Sequence, residues 1–221
     1  MTRIAIIGGH GKVALELSRI LSAEGMDVTS FIRNPAHGED VAATGAAPVV
    51  LDVEQSTTAE IAEALRGHDA VVWSAGAGAG AGSPERTYAV DRDAAIRSMD
   101  AAAQAGVGRY IMVSYLGAGP DHGIPEDNSF FAYAEAKAAA DAYLRGTDLD
   151  WTILGPGALT DGPGNGLIEV NPAEGSGGGE TARANVALVA AAVLGLPSTA
   201  GRTIDFRDGT LPLAAALATV S

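Results

Sequence analysis

Short apolar runs alternate with amphipathic stretches along most of the chain. RIAIIG (residues 3–8) is apolar at successive positions rather than at every second one, the pattern of a strand buried on both faces. VALELSRILSAEG follows with Val13, Leu17, Ile20 and Leu21 at helical spacing and Gly25 as the expected C-cap. The alternation then repeats. DVTSFIR and APVVLD predict a second and third strand, TTAEIAEALRG a helix, and HDAVVWSAG (residues 68–76) a fourth strand. A long helix over about residues 86–105 stops at Gly106, and RYIMVSYLG (109–117) predicts strand five. FFAYAEAKAAADAYLR predicts an alanine-rich helix closed by Gly146, DLDWTILGPG (148–157) strand six, ARANVALVAAAVL a further helix, and RTIDFRDG a last short strand.

Nearly continuous apolar strands separated by helices predict an α/β fold of the Rossmann type. The expected sheet is doubly wound, mostly parallel, of about seven strands in a three-layer αβα arrangement, and ligands of such sheets lie outside the carboxyl ends of the strands. Residues 1–221 are expected to form a single domain, with residues 157–182 a small lobe on the substrate side. Two stretches break the rhythm: GAGAGAGS after strand four, and the run from Gly157 to Gly179, which contains GSGGG. GSGGG reads as a flexible surface loop as readily as a functional one. The first glycine run sits at a strand's carboxyl end, where backbone without side chains lets a ligand approach closely.

Composition narrows the ligand. Fourteen Lys and Arg stand against 27 Asp and Glu, a net charge of −13, so nucleic acid and anionic membrane surfaces are repelled at long range. An anion can still be held by backbone N–H groups and a few placed cations, which points to a small molecule. The absence of cysteine excludes disulfides, thiolate metal sites and a cysteine nucleophile. The first strand begins at Arg3 with no leader pattern ahead of it, and no apolar run is long enough to span a bilayer, so a cytoplasmic protein, monomer or homodimer, is expected.

Three clusters carry chemistry. Gly8, Gly11 and Ala14 form G-x-x-G-x-x-A between a strand and a helix. Gly8 permits the turn, Gly11 lets backbone reach a pyrophosphate at the positive helix end, and Ala14 lets the helix pack close to the sheet, a dinucleotide-binding arrangement. At the end of strand two, FIRNPAH carries Arg33 and no acid, which favours a 2′-phosphate over a free ribose hydroxyl and therefore NADP(H) over NAD(H). Asp52, ending strand three, can accept from an adenine amino group or cap the turn. Finally, Ser114 ends strand five, and Tyr133 and Lys137 lie four apart on the next helix. An adjacent ammonium is expected to lower the phenol's pKa, and such a tyrosine can exchange a proton with a carbonyl or hydroxyl held by Ser114.

GGHGKVA, FIRNPAH, LDV, VSYLGA, YAEAK and DLDWTILGPGALTD, in that order, resemble the atypical short-chain dehydrogenase/reductases. The resemblance is to the small NAD(P)H-binding, NmrA-like group with flavin/biliverdin-reductase-like and sugar-epimerase-like members. It implies a pyrophosphate lined by Gly8, Gly11 and Lys12 within the turn Gly8, Gly9, His10, Gly11, Lys12 and Val13. It also implies Arg33 at the 2′-phosphate, Asp52 and Val53 at the adenine, and Ala75 and Gly76 along the cofactor. Ser114, Tyr133 and Lys137 fall at the nicotinamide, bordered by Pro156, Gly157 and Ala158. The chain departs from the group at His10, often threonine, at Gly155, usually the arginine of arginine-proline-glycine, and at Asn185, where R-x-D-V-A has an acid.

The expected activity is NADPH-dependent reduction of a small carbonyl, quinone or flavin-like acceptor. The alternatives are a non-catalytic NADP(H) redox sensor and a nucleotide-sugar epimerase-like enzyme. His37, His68 and His122 lack metal-ligand spacing, so no metal is expected. Asp121, Glu126 and Asp127 read as a solvated loop, and Trp73 and Trp151 as core.

Overall fold

Strand β1 (Arg3–Ile7) buries both faces, Ile4 and Ile6 on one side and Ala5 and Ile7 on the other, and this places it inside the sheet. The computed structural model describes residues 1–77, 83–172 and 179–220; most of the GAGAGAG run and residues 175–178 of GSGGG lie outside the described residues. After β1 come α1 (Lys12–Ala23), β2 (Asp27–Ile32), the short α2 (Gly38–Ala42) and β3 (Ala47–Val50). Helix α3 (Thr58–Leu65) opens on a capping box between Thr57 and Glu60 and leads to β4 (Ala70–Trp73).

The long helix expected over 86–105 is composite. It runs as α4 (Pro84–Thr87), a π-helical stretch Tyr88–Ala94, and α5 (Ala95–Ala105), ending on left-handed Gly106. Strand β5 (Arg109–Val113), helix α6 (Phe131–Arg145) and β6 (Asp150–Pro156) follow, then β7 (Ala158–Thr160), β8 (Leu167–Val170) and β9 (Glu180–Ala182). Helix α7 (Arg183–Leu194), β10 (Arg202–Asp208), β11 (Leu211–Pro212) and α8 (Leu213–Leu217) complete the chain.

Among the described residues the main sheet has nine strands in the order β11-β8-β10-β6-β5-β4-β1-β2-β3, and β7 pairs with β9 in a separate ribbon. The expectation of about seven strands therefore undercounts. All seven expected strands are present, parallel and consecutive, and the additions are β8 and β11, which pair antiparallel at one edge. Four residues of LIEV inside a Gly/Pro-rich stretch, and two at Leu211–Pro212, are too short to show a period. Proline marks both edge strands, Pro48 in exposed β3 and Pro212 in β11, where a missing N–H costs no ladder bond.

Two hydrophobic layers clamp the sheet. On one side Val13, Leu17 and Leu21 of α1 and Val186, Val189 and Val193 of α7 pack on Ile4, Ile6, Val72 and Ile204. On the other, α3, α5 and α6 contribute Ile61, Leu65, Met99 and Leu144 against Ile7, Val71, Trp73 and Met112. Trp73 is fully buried and Trp151 partly so, as expected.

Leu17 is fully buried between α1 and the sheet, so Leu17→Ala is expected to cost about 2–5 kcal/mol in urea unfolding. His68 is 8% exposed, its Nδ1 lies 3.0 Å from the Leu65 carbonyl, and burial lowers its pKa from 6.5. Below that value the unfolded chain binds more protons than the folded one, so stability falls as pH drops through the folded pKa. His68→Gln is expected to flatten the slope of unfolding free energy between about pH 7 and about pH 5; an unchanged slope assigns the acid lability elsewhere.

Candidate functional site

The strand order reverses between β1 and β4, whose helices leave to opposite faces, and the carboxyl ends of these two strands form a crevice. Gly8 closes it. Its φ of +86° is a glycine conformation, and a Cβ there would lie 2.5 Å from the Ala75 Cα. Gly9 is equally tight, with a Cβ position 2.6 Å from that of Ser30. The turn is locked by Gly11 N–H donating to the Gly8 carbonyl at 2.9 Å. Gly11 is also the N-cap of α1, with no side-chain cap, so the first N–H groups of the helix face the crevice without a side-chain acceptor. This cradle, free of side chains at a positive helix end, fits a pyrophosphate.

Two adjoining cavities share Gly11, Ser74, Ala75 and Gly76. The smaller, about 370 Å³, is lined by Gly8, His10, Arg33, Asp52 and Val53 together with Phe31, Glu54 and Arg86. Glu54 holds both arginines loosely, Arg33 at 3.5 Å and Arg86 at 3.7 Å. The Asp52 carboxylate accepts from the Glu54 N–H at 3.1 Å, and Arg97 donates to the Val53 and Glu54 carbonyls at 3.0 Å each, fixing this loop from behind. His10 stacks on His37 with ring centroids 3.6 Å apart, and its Nε2 lies 2.9 Å from Asp40.

The larger cavity, about 750 Å³, runs from Lys12 and Val13 past Ser114 and Tyr133 to Pro156, Gly157 and Ala158. Tyr115, Phe130 and Tyr133 form an aromatic wall with centroids 5.1–5.7 Å apart. Asp91 reaches the cavity from the π-helical stretch and accepts the Ala77 N–H at 2.9 Å, which ties down the chain after β4; burial pushes its carboxyl up.

Lys137 behaves differently from expectation. Its side chain is 1% exposed and lines neither cavity, and its Nζ donates to the Val113 carbonyl at 2.9 Å and to the Met112 Sδ at 3.2 Å. It braces the end of β5 instead of addressing Tyr133. The Tyr133 phenol is accordingly raised rather than lowered, by burial first and then by the Asp91 and Asp141 carboxyls, so it stays neutral at ordinary pH. Ser114 is 4% exposed, and its Oγ lies 2.5 Å from Asp141 Oδ2.

Lys12 also has a partner that sequence reasoning missed. Its Nζ donates to Asp161 Oδ2 at 2.6 Å, while Arg183 donates to Oδ1 at 2.5 Å, so one carboxylate joins the first residues of α1 and α7 across the cavity mouth. The Lys12 hydrogen bond, aided by Arg183, keeps the Asp161 carboxyl below its usual range. Asp141 was legible in principle, since it continues the four-residue spacing of Tyr133 and Lys137. Asp91, Glu54, Arg86 and Asp161 carried no sequence signal. Among the described residues no three His, Cys, Asp or Glu cluster to hold a metal, and no helix is long and apolar enough to cross a membrane.

Known proteins are similar to this chain in sequence and in fold. The uncharacterized sugar epimerase YhfK of Bacillus subtilis is 33% identical over 217 residues, 97% of this chain and 98% of its own. An NAD-dependent epimerase/dehydratase-like protein of Bacillus halodurans superposes with a TM-score of 0.90 at 30% identity, covering 99% of this chain and 100% of its own. ChuY, an anaerobillin reductase of Escherichia coli O157:H7, shares the fold with a TM-score of 0.77 at 24% identity over 95% and 98% of the two chains. The NAD(P)H-binding family model matches residues 8–197, from the glycine that closes the crevice to the end of α7 and just beyond. With a side-chain-free cradle at the head of α1 and a family match over most of its length, the chain belongs to the NAD(P)H-binding family.

Proposed function

We propose that this protein is an NADP(H)-dependent oxidoreductase that reduces a small carbonyl, quinone or flavin-like acceptor. The observation that carries this reading is the Tyr133 phenol, placed in the wall of the cavity that continues from the glycine cradle past Ser114. Bound NADPH supplies a hydride to the acceptor. The chain supplies the rest. Gly8 and Gly11 hold the pyrophosphate on the N–H groups of α1, and Arg33, with Arg86 nearby, meets the 2′-phosphate in the smaller cavity. Ser114 orients the acceptor oxygen, and Tyr133 passes its proton to that oxygen as the carbon gains hydride, then recovers a proton from water at the cavity mouth. Lys137 fixes the backbone on which Ser114 stands. Within a single-domain chain, the stretch that begins at Gly157 borders the substrate side, with Gly157, Ala158 and Leu159 in the cavity lining.

Tyr133→Phe is expected to lower kcat by about 10²–10⁴-fold with NADPH affinity unchanged; full turnover in this variant overturns the proton-donor role. Tight NADPH binding with no oxidation by carbonyl, quinone or flavin acceptors identifies a sensor instead, and epimerisation of a nucleotide sugar without net NADPH consumption identifies an epimerase. Calorimetric titration checks the phosphate role: Arg33→Ala should weaken NADPH by about 10–100-fold and leave NADH unaffected. Equal affinities for the two cofactors in the unmodified protein refute the NADP(H) preference.

A further inference from the structure

Behind the cavity wall, Asp141 lies fully buried on the α6 face that also carries Tyr133 and Lys137. One of its oxygens, Oδ2, meets Ser114 Oγ at 2.5 Å, and the other, Oδ1, has no hydrogen-bond partner among the described residues. No cation among the described residues hydrogen-bonds this carboxyl, although the Lys137 charge favours its anion. Lys137, one turn back on α6, spends donors on the Val113 carbonyl and the Met112 sulfur, and Arg145, one turn on, donates to Thr203 on β10. Tyr115 faces it from the end of β5 with its own hydroxyl unpartnered, and Asp205 faces it from β10 as a like charge. Gly155 on β6 leaves room for the Asp205 carboxyl: a Cβ there would lie 1.9 Å from Asp205 Oδ1. An ionised carboxylate with one hydrogen bond in such a place is costly, whereas a neutral acid with its proton on Oδ2 keeps that hydrogen bond and leaves Oδ1 as a plain carbonyl oxygen.

We propose that Asp141 is a positioning residue that sets the hydrogen-bond polarity of Ser114: as the neutral acid it donates to Ser114 Oγ and frees the serine O–H to donate into the cavity. This rests on the reductase reading above, which needs a donor at the acceptor's carbonyl oxygen. If Asp141 were ionised, the serine hydrogen would turn inward and Ser114 would offer the cavity only lone pairs. Burial pushes the Asp141 carboxyl up, with Lys137, the Ser114 hydrogen bond and Arg145 opposing, consistent with the geometry.

The test joins spectroscopy to kinetics on the full chain. The infrared difference between the unmodified protein and Asp141→Asn at neutral pH should contain the C=O stretch of a protonated carboxyl; its absence overturns the proposal whether or not the protein turns over. Asp141→Asn, whose amide can donate to Ser114 as the acid does, should keep kcat within about threefold, and Asp141→Ala should lower it by about tenfold at unchanged NADPH affinity. In a Ser114→Ala background the Asp141→Ala loss should vanish. A loss of the same size in that background shows a merely structural role, and an Asp141→Asn variant as impaired as Asp141→Ala refutes the donor role. A carboxyl band without turnover by the unmodified protein leaves the neutral acid standing and overturns the reductase reading instead.

Discussion

The close approach of two backbones, the turn after β1 and the segment after β4, is the constraint on which the site depends. The space at Gly8 is filled by Ala75 main chain, and the only residue that fits both that space and a φ of +86° is glycine. Because the backbones touch, the first N–H groups of α1 open directly into a crevice that continues on both sides, toward Arg33 and toward Ser114. One contact thus sets the position of the phosphate cradle relative to the rest of the crevice.

Electrostatics then divides the crevice in two. The net charge of −13 works against any anionic ligand, yet the smaller cavity carries Arg33 and Arg86 and the mouth of the larger carries Lys12 and Arg183. Each pair is held by an acidic residue, Glu54 in one case and Asp161 in the other. These contacts are exposed enough for a phosphate to compete with the carboxylate, so the cations are oriented without being committed. Around Tyr133 the balance is reversed. Asp91 and Asp141 are drawn into the interior with few compensating donors, and burial and these carboxyls raise the Tyr133 phenol.

The π-helical stretch between α4 and α5 is part of the same design. It carries Asp91 to the cavity, where the carboxyl receives the Ala77 N–H and tethers the chain leaving β4. Such local widening of a helix re-aims a side chain without breaking the element. The alanine-rich sequence of α6 serves a related end: Ala134, Ala138 and Ala140 let the helix sit close enough for Lys137 and Asp141 to reach β5 from inside the protein.

The seven principal strands, the mostly parallel sheet they form, the long helices and the glycine turn were legible in the chain itself, because continuous apolar runs and helical spacing are local properties that burial on two faces imposes; the order of the strands was not. The antiparallel pair β8 and β11 and the β7–β9 ribbon were not, since segments of two to four residues hold no period and owe their conformation to the neighbour they pair with. Most predicted site residues do converge on the crevice, Gly8, Arg33 and Asp52 at one end and Ser114, Tyr133 and Pro156 at the other. Lys137 shows where reading by spacing stops. Four residues put it on the same helix face as Tyr133, but packing against β5 turned its ammonium to a backbone carbonyl and left the phenol to neighbouring carboxyls. Sequence determines which groups share a face; the charge each group bears is decided by depth and by partners brought from distant strands, and those exist only once the sheet has assembled.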